Sequence, residues 1–230
     1  AFFRHRHWEM PLQAAVRKGM LLQQEHQKVF TWLCVTNKGA AAVNRAAVQT
    51  MGLTADDLLS GCPSDPKVDG ELMCIRKGMI VRLTRNLDKQ RGFVNGALGL
   101  VVSILEANRI FTVRVTSGTM LLVHPMVQAD CLFLPCTYGY ATTIRRAQGA
   151  TLDMGCVYFD HCYPPERGYG YVAVSRFKTK DGVFHYGPVR RTDWLPVGAG
   201  CDAEQTSREQ DSMSDNSDDE NARGQDEEYD

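Results

Sequence analysis

Apolar side chains in the first fifty residues follow two different spacings. Between residues 8 and 30 they recur at helical intervals with charges between them, at Leu12, Val16, Met20 and Leu21. This pattern predicts an amphipathic helix, which Gly19 can interrupt. Residues 31–36 are β-branched and aromatic and predict a buried strand, and the alanine-rich residues 40–51 predict a second helix.

The middle of the chain has the spacing of an antiparallel β-structure. Pro, Asp, Ser and Gly residues within 61–70 predict a linker. Short apolar runs separated by turn signals then follow at 79–83, 98–105, 110–115 and 120–123. Asn95 and Gly96 form the strongest turn signal, because both tolerate positive φ. These runs predict a small antiparallel barrel.

Helix and strand signals alternate again after residue 132. Residues 142–148 and 171–177 predict helices, and residues 156–159 and 183–186 predict strands. The chain is therefore predicted to be an α/β protein into which the small barrel is inserted.

Charge divides the chain into a basic body and an acidic tail. Residues 1–200 contain 24 Lys and Arg against 15 Asp and Glu, whereas residues 201–230 contain 2 against 12. A basic body suits phosphate backbones, whose counterions are released on binding. The tail has almost no large apolar side chains, so it is predicted to be disordered and able to compete for the basic surface.

Other features exclude some classes of protein. The sequence has no run of eighteen apolar residues and no secretion signal, so it is predicted to be intracellular: nuclear or mitochondrial in a eukaryote, otherwise cytoplasmic.

Eight cysteines without a CxxC pair predict reduced thiols and no metal site. A nucleophilic pair of Cys162 and His161 is disfavoured, because adjacent side chains seldom face each other. A start at Ala1 suggests a fragment, a processed product or an incomplete gene model.

Two segments in the last third of the body carry the most specific motifs. The first matches the pattern Tyr-Ala-x-Thr-Ile/Val-His-Lys-Ser-Gln-Gly-x-Thr-Leu at Tyr140, Ala141, Thr143, Ile144, Gln148, Gly149, Thr151 and Leu152. The second matches Gly-Gln-x-Tyr-Val-Ala-Leu-Ser-Arg at Gly168, Tyr171, Val172, Ala173, Ser175 and Arg176. Both patterns belong to superfamily 1B DNA helicases of the RecD type, which the chain resembles over residues 2–188.

The resemblance implies a role for each segment. Thr143, Arg145, Arg146 and Gln148 are expected to hold the backbone of single-stranded DNA, since such side chains bind phosphate or sugar without reading sequence. Gln148 and Gly149 are also expected beside the nucleotide. The chain departs from the family where Arg145-Arg146-Ala147 replaces His-Lys-Ser and where Tyr169 replaces Gln.

Arg176 is expected to act as an arginine finger. A guanidinium beside the transferred phosphoryl group accelerates hydrolysis by about 10³ to 10⁵ in well-studied systems. The alternative is an arginine that bridges groups on an ordinary helix. Phe3-Arg4-His5 resembles the family's Phe-Arg-Gln segment, which makes Arg4 a second candidate; the alternative there is a frayed basic terminus.

Two further resemblances concern DNA contacts. Thr36, Asn37 and Asn44 match the family's Thr-Asn-x6-Asn segment, so Thr36 and Asn37 are expected to contact DNA. The family's SH3-like insertion, which helps to form the DNA channel, is matched by Gly78, Val81, Asn86, Asn95, Gly96 and Gly99. Asn95 is expected to contact DNA there. A basic edge is formed by Arg82, Arg85, Lys89 and Arg91; the alternative is a solvated charged face.

Together these features predict the second RecA-like domain of a helicase. The expected division is 1–70 and 131–200 for a RecA-like domain with a parallel sheet, 71–130 for the SH3-like barrel and 201–230 for the tail. The chain contains no Gly-Lys dipeptide and thus no P-loop. The resemblance implies that a missing first RecA-like domain binds most of the ATP and Mg²⁺, and that the chain alone is inactive.

Three functions are consistent with the sequence. The first is the C-terminal half of a monomeric, ATP-dependent 5'-to-3' DNA helicase acting in DNA repair or recombination. The second is a non-catalytic nucleic-acid-binding remnant of a helicase, which the altered His-Lys-Ser and Gln positions favour. The third is a structural α/β protein, which leaves the two ordered motifs unexplained.

Overall fold

A computed structural model describes residues 6–52, 58–68, 70–105, 109–160 and 168–195. The expectations for Arg4, for the pair His161 and Cys162, and for the acidic tail at 201–230 lie outside these residues.

Fourteen strands and three helices occur in the described ranges. The strands are β1 (His7–Trp8), β2 (Phe30–Cys34), β3 (Leu58–Pro63), β4 (Leu72–Arg76), β5 (Ile80–Leu83), β6 (Leu98–Leu105), β7 (Ile110–Val115), β8 (Met120–Val123), β9 (Met126–Gln128), β10 (Cys131–Phe133), β11 (Cys136–Tyr138), β12 (Ala141–Thr143), β13 (Met154–Tyr158) and β14 (Val183–Tyr186). The helices are α1 (Leu12–His26), α2 (Asn37–Thr50) and α3 (Tyr169–Val174), and 3₁₀ turns occur at Lys180–Gly182 and Arg191–Trp194.

Five strands form a parallel sheet in the order β1-β14-β13-β2-β12. Helices α1 and α2 cover one face, where Trp32 and Cys34 belong to their core. Helix α3 lies on the other face, where Leu33 packs with Ala173. All five residues of β2 are buried, as is typical of a central parallel strand. The predicted α/β fold with a parallel sheet is confirmed.

Helix α1 continues through Gly19 without a break. An added Cβ at Gly19 would lie 2.9 Å from a ring carbon of Phe30. The glycine therefore allows the helix to approach the sheet closely, rather than interrupting it as the sequence suggested.

A second sheet lies between α2 and β12 in the sequence. Its five strands are antiparallel in the order β11-β5-β6-β7-β8. The predicted strands at 98–105, 110–115 and 120–123 are confirmed to the residue. Apolar side chains such as Ile75, Phe111 and Val113 form a separate core beneath this sheet.

Two further predictions from the sequence are wrong. Residues 61–63, predicted as part of a linker, belong to β3, which pairs with β4 across a bulge where Gly61 has φ 78°. Residues 142–148, predicted as a helix, comprise the end of β12 followed by turns. Thr142 and Thr143 pair with β2 instead, because two β-branched residues beside a buried strand favour the extended chain.

Among the described residues, no helix is both long enough and apolar enough to cross a membrane.

Candidate nucleic-acid interface

The segment 140–149 leaves the parallel sheet at the carboxyl end of its edge strand. Thr143 is the last residue of β12 and is buried. The chain then turns, with the amide of Ala147 donating to the Thr143 carbonyl at 3.1 Å and the amide of Gln148 donating to the Arg145 carbonyl at 3.3 Å. These turns leave Arg145, Arg146 and Gln148 exposed. Ligands of α/β proteins commonly bind at the carboxyl ends of parallel strands.

Two adjoining cavities lie beside this segment, and together we call them the β12 groove. A cavity of about 260 Å³ is lined by Asn37, Thr143 and Arg146, among others. A cavity of about 400 Å³ is lined by Asn95, Arg146 and Gln148, among others. Both cavities share Arg82, Thr142 and Arg146. Five of the residues predicted to bind DNA therefore border this pair of adjoining cavities.

Asn95 reaches the groove from the antiparallel sheet. Its backbone amide donates to the Asn86 side-chain oxygen at 2.9 Å, and the following Gly96 has φ 92°. This tight turn exposes Asn95 at the edge of the second cavity. The predicted turn at these two residues is confirmed.

Thr36 does not line the β12 groove. It is the N-cap of α2, and its hydroxyl accepts a hydrogen bond from the Gly39 amide at 2.9 Å. The Asp160 carboxylate accepts from the amides of Val35 at 2.7 Å and Thr36 at 3.1 Å, and from the Thr36 hydroxyl. Burial raises the pKa of Asp160 despite these bonds. Thr36 borders a separate cavity of about 590 Å³ together with Arg190.

Arg176 follows α3 and is joined to the first motif through the backbone. The Leu152 amide donates to the Arg176 carbonyl at 2.8 Å, and the Lys178 amide donates to the Leu152 carbonyl at 3.0 Å. The side chain is partly exposed, and its Nη2 donates to the Ser175 hydroxyl at 3.0 Å. Its Nε is buried without a hydrogen-bond partner among the described residues.

Arg145 and Gly149 occupy other positions on the same turns. The Arg145 Nε donates to the Tyr169 hydroxyl at 2.9 Å, which directs this guanidinium toward α3. Arg145 is not among the side chains that line the β12 groove. Gly149 is exposed and has φ 82°, a conformation that favours glycine.

The basic edge of the antiparallel sheet divides into side chains with different roles. Arg85 forms a double hydrogen bond with the buried carboxylate of Asp65 and lies 5.0 Å from the centre of the Phe133 ring. Arg91 donates to the Met120 carbonyl at 3.3 Å. Arg82 instead lines both cavities of the β12 groove. The sequence indicated these cations only as a group.

No cluster of three or more His, Cys, Asp or Glu side chains that could hold a metal ion occurs within the part of the chain that the structure describes. Cys131 is exposed, whereas Cys136 and Cys156 are buried. Burial raises the pKa of the Cys156 thiol well above its ordinary value. This thiol therefore stays protonated and unreactive near neutral pH.

Comparison with known proteins finds similarity to DNA helicases. No protein-family model matches the chain. It is 28% identical over 192 residues to the ATP-dependent DNA helicase PIF1 of Xenopus laevis, a match covering 71% of the chain and 29% of that protein. It is 36% identical over 123 residues to Pif1 of Bdellovibrio bacteriovorus, a match covering 49% of the chain and 27% of that protein.

Solved structures give the same result for the fold. Bacteroides Pif1 bound to single-stranded DNA matches with a TM-score of 0.57 and 22% identity, over 79% of this chain and 46% of that one. Pif1 from Candida albicans matches with a TM-score of 0.58 and 16% identity, over 86% of this chain and 54% of that one.

The identities to the two solved structures, 22% and 16%, are low, so these structures show the fold alone. The chain spans less than a third of the curated relatives and about half of the solved chains. In sequence it is homologous to the Pif1 DNA helicases of superfamily 1B, and its α/β fold with a parallel sheet resembles their RecA-like domain.

Proposed function

We propose that this chain is the C-terminal half of an ATP-dependent DNA helicase of the RecD type that moves 5' to 3' on single-stranded DNA. The observation that carries the proposal is the β12 groove, which is lined by five of the residues predicted to bind DNA: Asn37, Thr143, Arg146, Gln148 and Asn95. A helicase must hold any sequence, so it needs contacts to phosphate and sugar rather than to base edges.

The composition of the groove supports binding to the backbone of the strand. Its cationic side chains are Lys38, Arg82 and Arg146, and no carboxylate occurs among those lining residues that the structure describes. Hydroxyl and amide groups supply the other polar contacts. These cations attract the negatively charged phosphates of a strand, and each phosphate that they neutralise releases counterions.

Arg176 is proposed as the contribution of this chain to hydrolysis. Its guanidinium is partly exposed, and its Nη2 bonds the exposed Ser175 hydroxyl, so this end of the side chain is accessible to an anion. The backbone bond between Leu152 and Arg176 supports mechanical coupling between the nucleotide and the strand. ATP and Mg²⁺ would be bound mainly by a first RecA-like domain with a P-loop, and that γ-phosphate would face Arg176. Arg4 and Gly149 are proposed to face the same nucleotide.

The remaining assignments are part of the same proposal. Residues 71–130, which contain β5 to β8 of the antiparallel sheet, would be the SH3-like insertion that closes one side of the DNA channel, with residues 1–70 and 131–200 forming the RecA-like domain. The tail at 201–230 carries 2 basic and 12 acidic residues, so it would compete with DNA for the basic surface.

The proposal is tested by strand binding and ATP turnover with the purified 230-residue chain. We expect anisotropy of a labelled oligothymidylate to report binding that is weakened by Arg146→Ala and by Gln148→Ala. Arg114→Ala is the matched control, because Arg114 is exposed on β7 and does not line the β12 groove. If all three variants lose the same affinity for the strand, binding reflects only nonspecific attraction to a basic surface and not the β12 groove.

ATP turnover separates the helicase from its non-catalytic alternative. The chain alone is expected to hydrolyse no ATP, and DNA-stimulated turnover abolished by Arg176→Ala would contradict that division of labour. When the chain is joined to its own P-loop domain, Arg176→Ala is expected to lower kcat by about 10³ or more. Strand binding without any turnover in that longer protein would favour the non-catalytic remnant, which the altered residues Arg145 and Tyr169 suggest.

A further inference from the structure

We propose that Arg82 and Arg146 together form a site for one phosphate of the bound strand, at the junction of the two cavities of the β12 groove. The inference rests on the proposed function for the identity of the ligand as a phosphodiester. The site itself rests on side chains from two different sheets. Arg82 lies on β5 of the antiparallel sheet, and Arg146 lies on the turns after β12.

Arg82 has hydrogen-bonding capacity that the described protein residues do not use. Its Nη1 donates to the Gly96 carbonyl at 3.3 Å. Its Nε and Nη2 are buried and have no hydrogen-bond partner among those residues. A charged group removed from water without a counter-charge destabilises the folded chain. The arrangement therefore favours an anion nearby.

The neighbouring charge makes this imbalance larger. Burial, and then the positive charge of Arg146, lower the pKa of Arg82 to about 10. The guanidinium is still charged near neutral pH, so two like charges border the same space. An anion between the two guanidinium groups is attracted by both and offsets their mutual repulsion. These attractions are stronger where water is partly excluded.

The chemistry of the groove identifies the anion as a backbone phosphate. Thr137, Thr142, Asn44 and Asn37 supply hydroxyl and amide groups around the two cations. Within the described parts of the chain, no Phe, Tyr, Trp or His lines either cavity, so these residues offer no ring that could stack on a base. A single negative group with several acceptor oxygens fits these side chains.

A scan with neutral linkages tests the site directly. Methylphosphonates are placed one at a time along an oligothymidylate of fixed register, and binding to the complete 230-residue chain is measured. We expect one linkage to cost wild type about tenfold in affinity. Arg82→Met should lose about tenfold on the unmodified strand, lower the salt slope by about one, and become insensitive to that linkage. Arg114→Met should keep the sensitivity of wild type.

The outcomes separate this inference from the proposed function. If wild type binds the strand and the two variants Arg82→Met and Arg114→Met change its affinity equally, the phosphate site is overturned. The helicase assignment would still stand. The same conclusion would follow if Arg82→Met stayed as sensitive to that linkage as wild type. Arg82→Gln provides a second neutral variant if the methionine variant does not fold, and Arg82→Lys should retain most binding, because the site depends on charge.

A second measurement does not depend on DNA. Inorganic phosphate is expected to raise the Tm of wild type more than sodium chloride at the same ionic strength, and to lose that excess in Arg82→Met. If phosphate raises the Tm of wild type more than sodium chloride does, but wild type does not bind the strand, the anion site is supported and the helicase assignment is removed. Equal effects of phosphate and chloride on wild type would overturn the site.

Discussion

Arg145 donates a hydrogen bond through its Nε to the hydroxyl oxygen of Tyr169, 2.9 Å away. Arg145 stands where helicases of this type have the histidine of His-Lys-Ser, and Tyr169 stands where they have Gln. Two of the departures from the family pattern therefore contact each other. This contact joins the turns after β12 to the first residue of α3.

A double-mutant cycle on this pair should show strong coupling. Arg145→Ala and Tyr169→Phe are each expected to lower the free energy of unfolding by about 1 kcal/mol. The double variant should lose clearly less than the sum, with a coupling energy of about 0.5 to 1 kcal/mol. Urea unfolding provides the measurement. Tyr171→Phe changes an exposed tyrosine on the same helix and serves as control; additive losses at 145 and 169 would contradict the pairing.

The carboxylate of Asp160 organises the start of α2. It accepts hydrogen bonds from the Val35 and Thr36 amides, so Asp160→Ala leaves two backbone donors without their partner. We expect a loss of about 2 to 3 kcal/mol in the free energy of unfolding. Asp153→Ala is the control, because the Asp153 carboxylate forms a surface ion pair with Lys178 and such pairs contribute less than about 1 kcal/mol.

Gly39 provides a second test of the same contact. A Cβ at this position would collide with the Asp160 carboxylate. Gly39→Ala is therefore expected to be destabilising in wild type and clearly less so in an Asp160→Ala background. An equal cost in both backgrounds, measured by urea unfolding, would show that the glycine is required for another reason.

The secondary structure could be predicted where a strand contains its own signal. Strands β6 and β8 alternate between more and less buried residues, as one face packs on the core beneath them. The segment 142–148 lacked such a signal, because its pairing with β2 is a contact between residues distant in sequence. The sequence predicts Gly61 as the start of a linker, whereas it occupies a bulge within β3.

The sequence indicated some of the residues that line the β12 groove but not how they are arranged. Resemblance indicated Asn95 and Gln148, but only the packing of the two sheets brings both to one cavity. Arg82 could not be distinguished from Arg85 by sequence, since both are cations on the same short segment. The two arginines differ in their neighbours. Arg85 forms an ion pair with Asp65, whereas Arg82 lies near the like charge of Arg146.

The buried ion pair of Asp65 and Arg85 anchors the segment that the sequence predicted as a linker. The Asp65 side chain is fully buried, and it also accepts hydrogen bonds from the Thr84 hydroxyl at 2.7 Å and the Lys67 amide at 3.0 Å. Asp65→Asn leaves the charge of Arg85 without its counter-charge, so we expect a loss of about 3 to 5 kcal/mol at pH 7. Glu71→Gln, which changes the exposed pair with Arg45, should cost less than about 1 kcal/mol.

The pH dependence of that loss follows from the pKa of Asp65. Burial alone raises this pKa, but hydrogen bonds from Arg85 and Thr84 outweigh burial and hold it below the ordinary 3.8. The contribution of the ionised carboxylate is thus present above pH 3.8 and is lost as the pH falls through the lower value in the folded chain. The stability difference between wild type and Asp65→Asn should shrink only in that acidic range. A difference that already shrinks between pH 7 and 5 would contradict it.

His185 should make the folded chain sensitive to mild acid. It lies on β14 between β1 and β13, and burial, followed by the charges of His7 and Arg6, lowers its pKa from 6.5 to about 4. The unfolded chain therefore gains a proton below pH 6.5 that the folded chain does not accept until about pH 4. Stability is retained above pH 6.5 and falls as the pH approaches 4, by about 3 kcal/mol.

His185→Phe keeps an aromatic ring beside Phe159 and Trp194 but cannot titrate. The free energy of unfolding of wild type and this variant is compared at intervals from pH 7 to pH 4.5. The comparison is made as a difference, because burial raises the pKa of Asp160 and that group acts in the opposite direction. We expect wild type to lose stability relative to His185→Phe as the pH falls. His26→Gln, at an exposed position on α1, should follow wild type. Parallel curves for wild type and His185→Phe would show that His185 takes up its proton equally in both states.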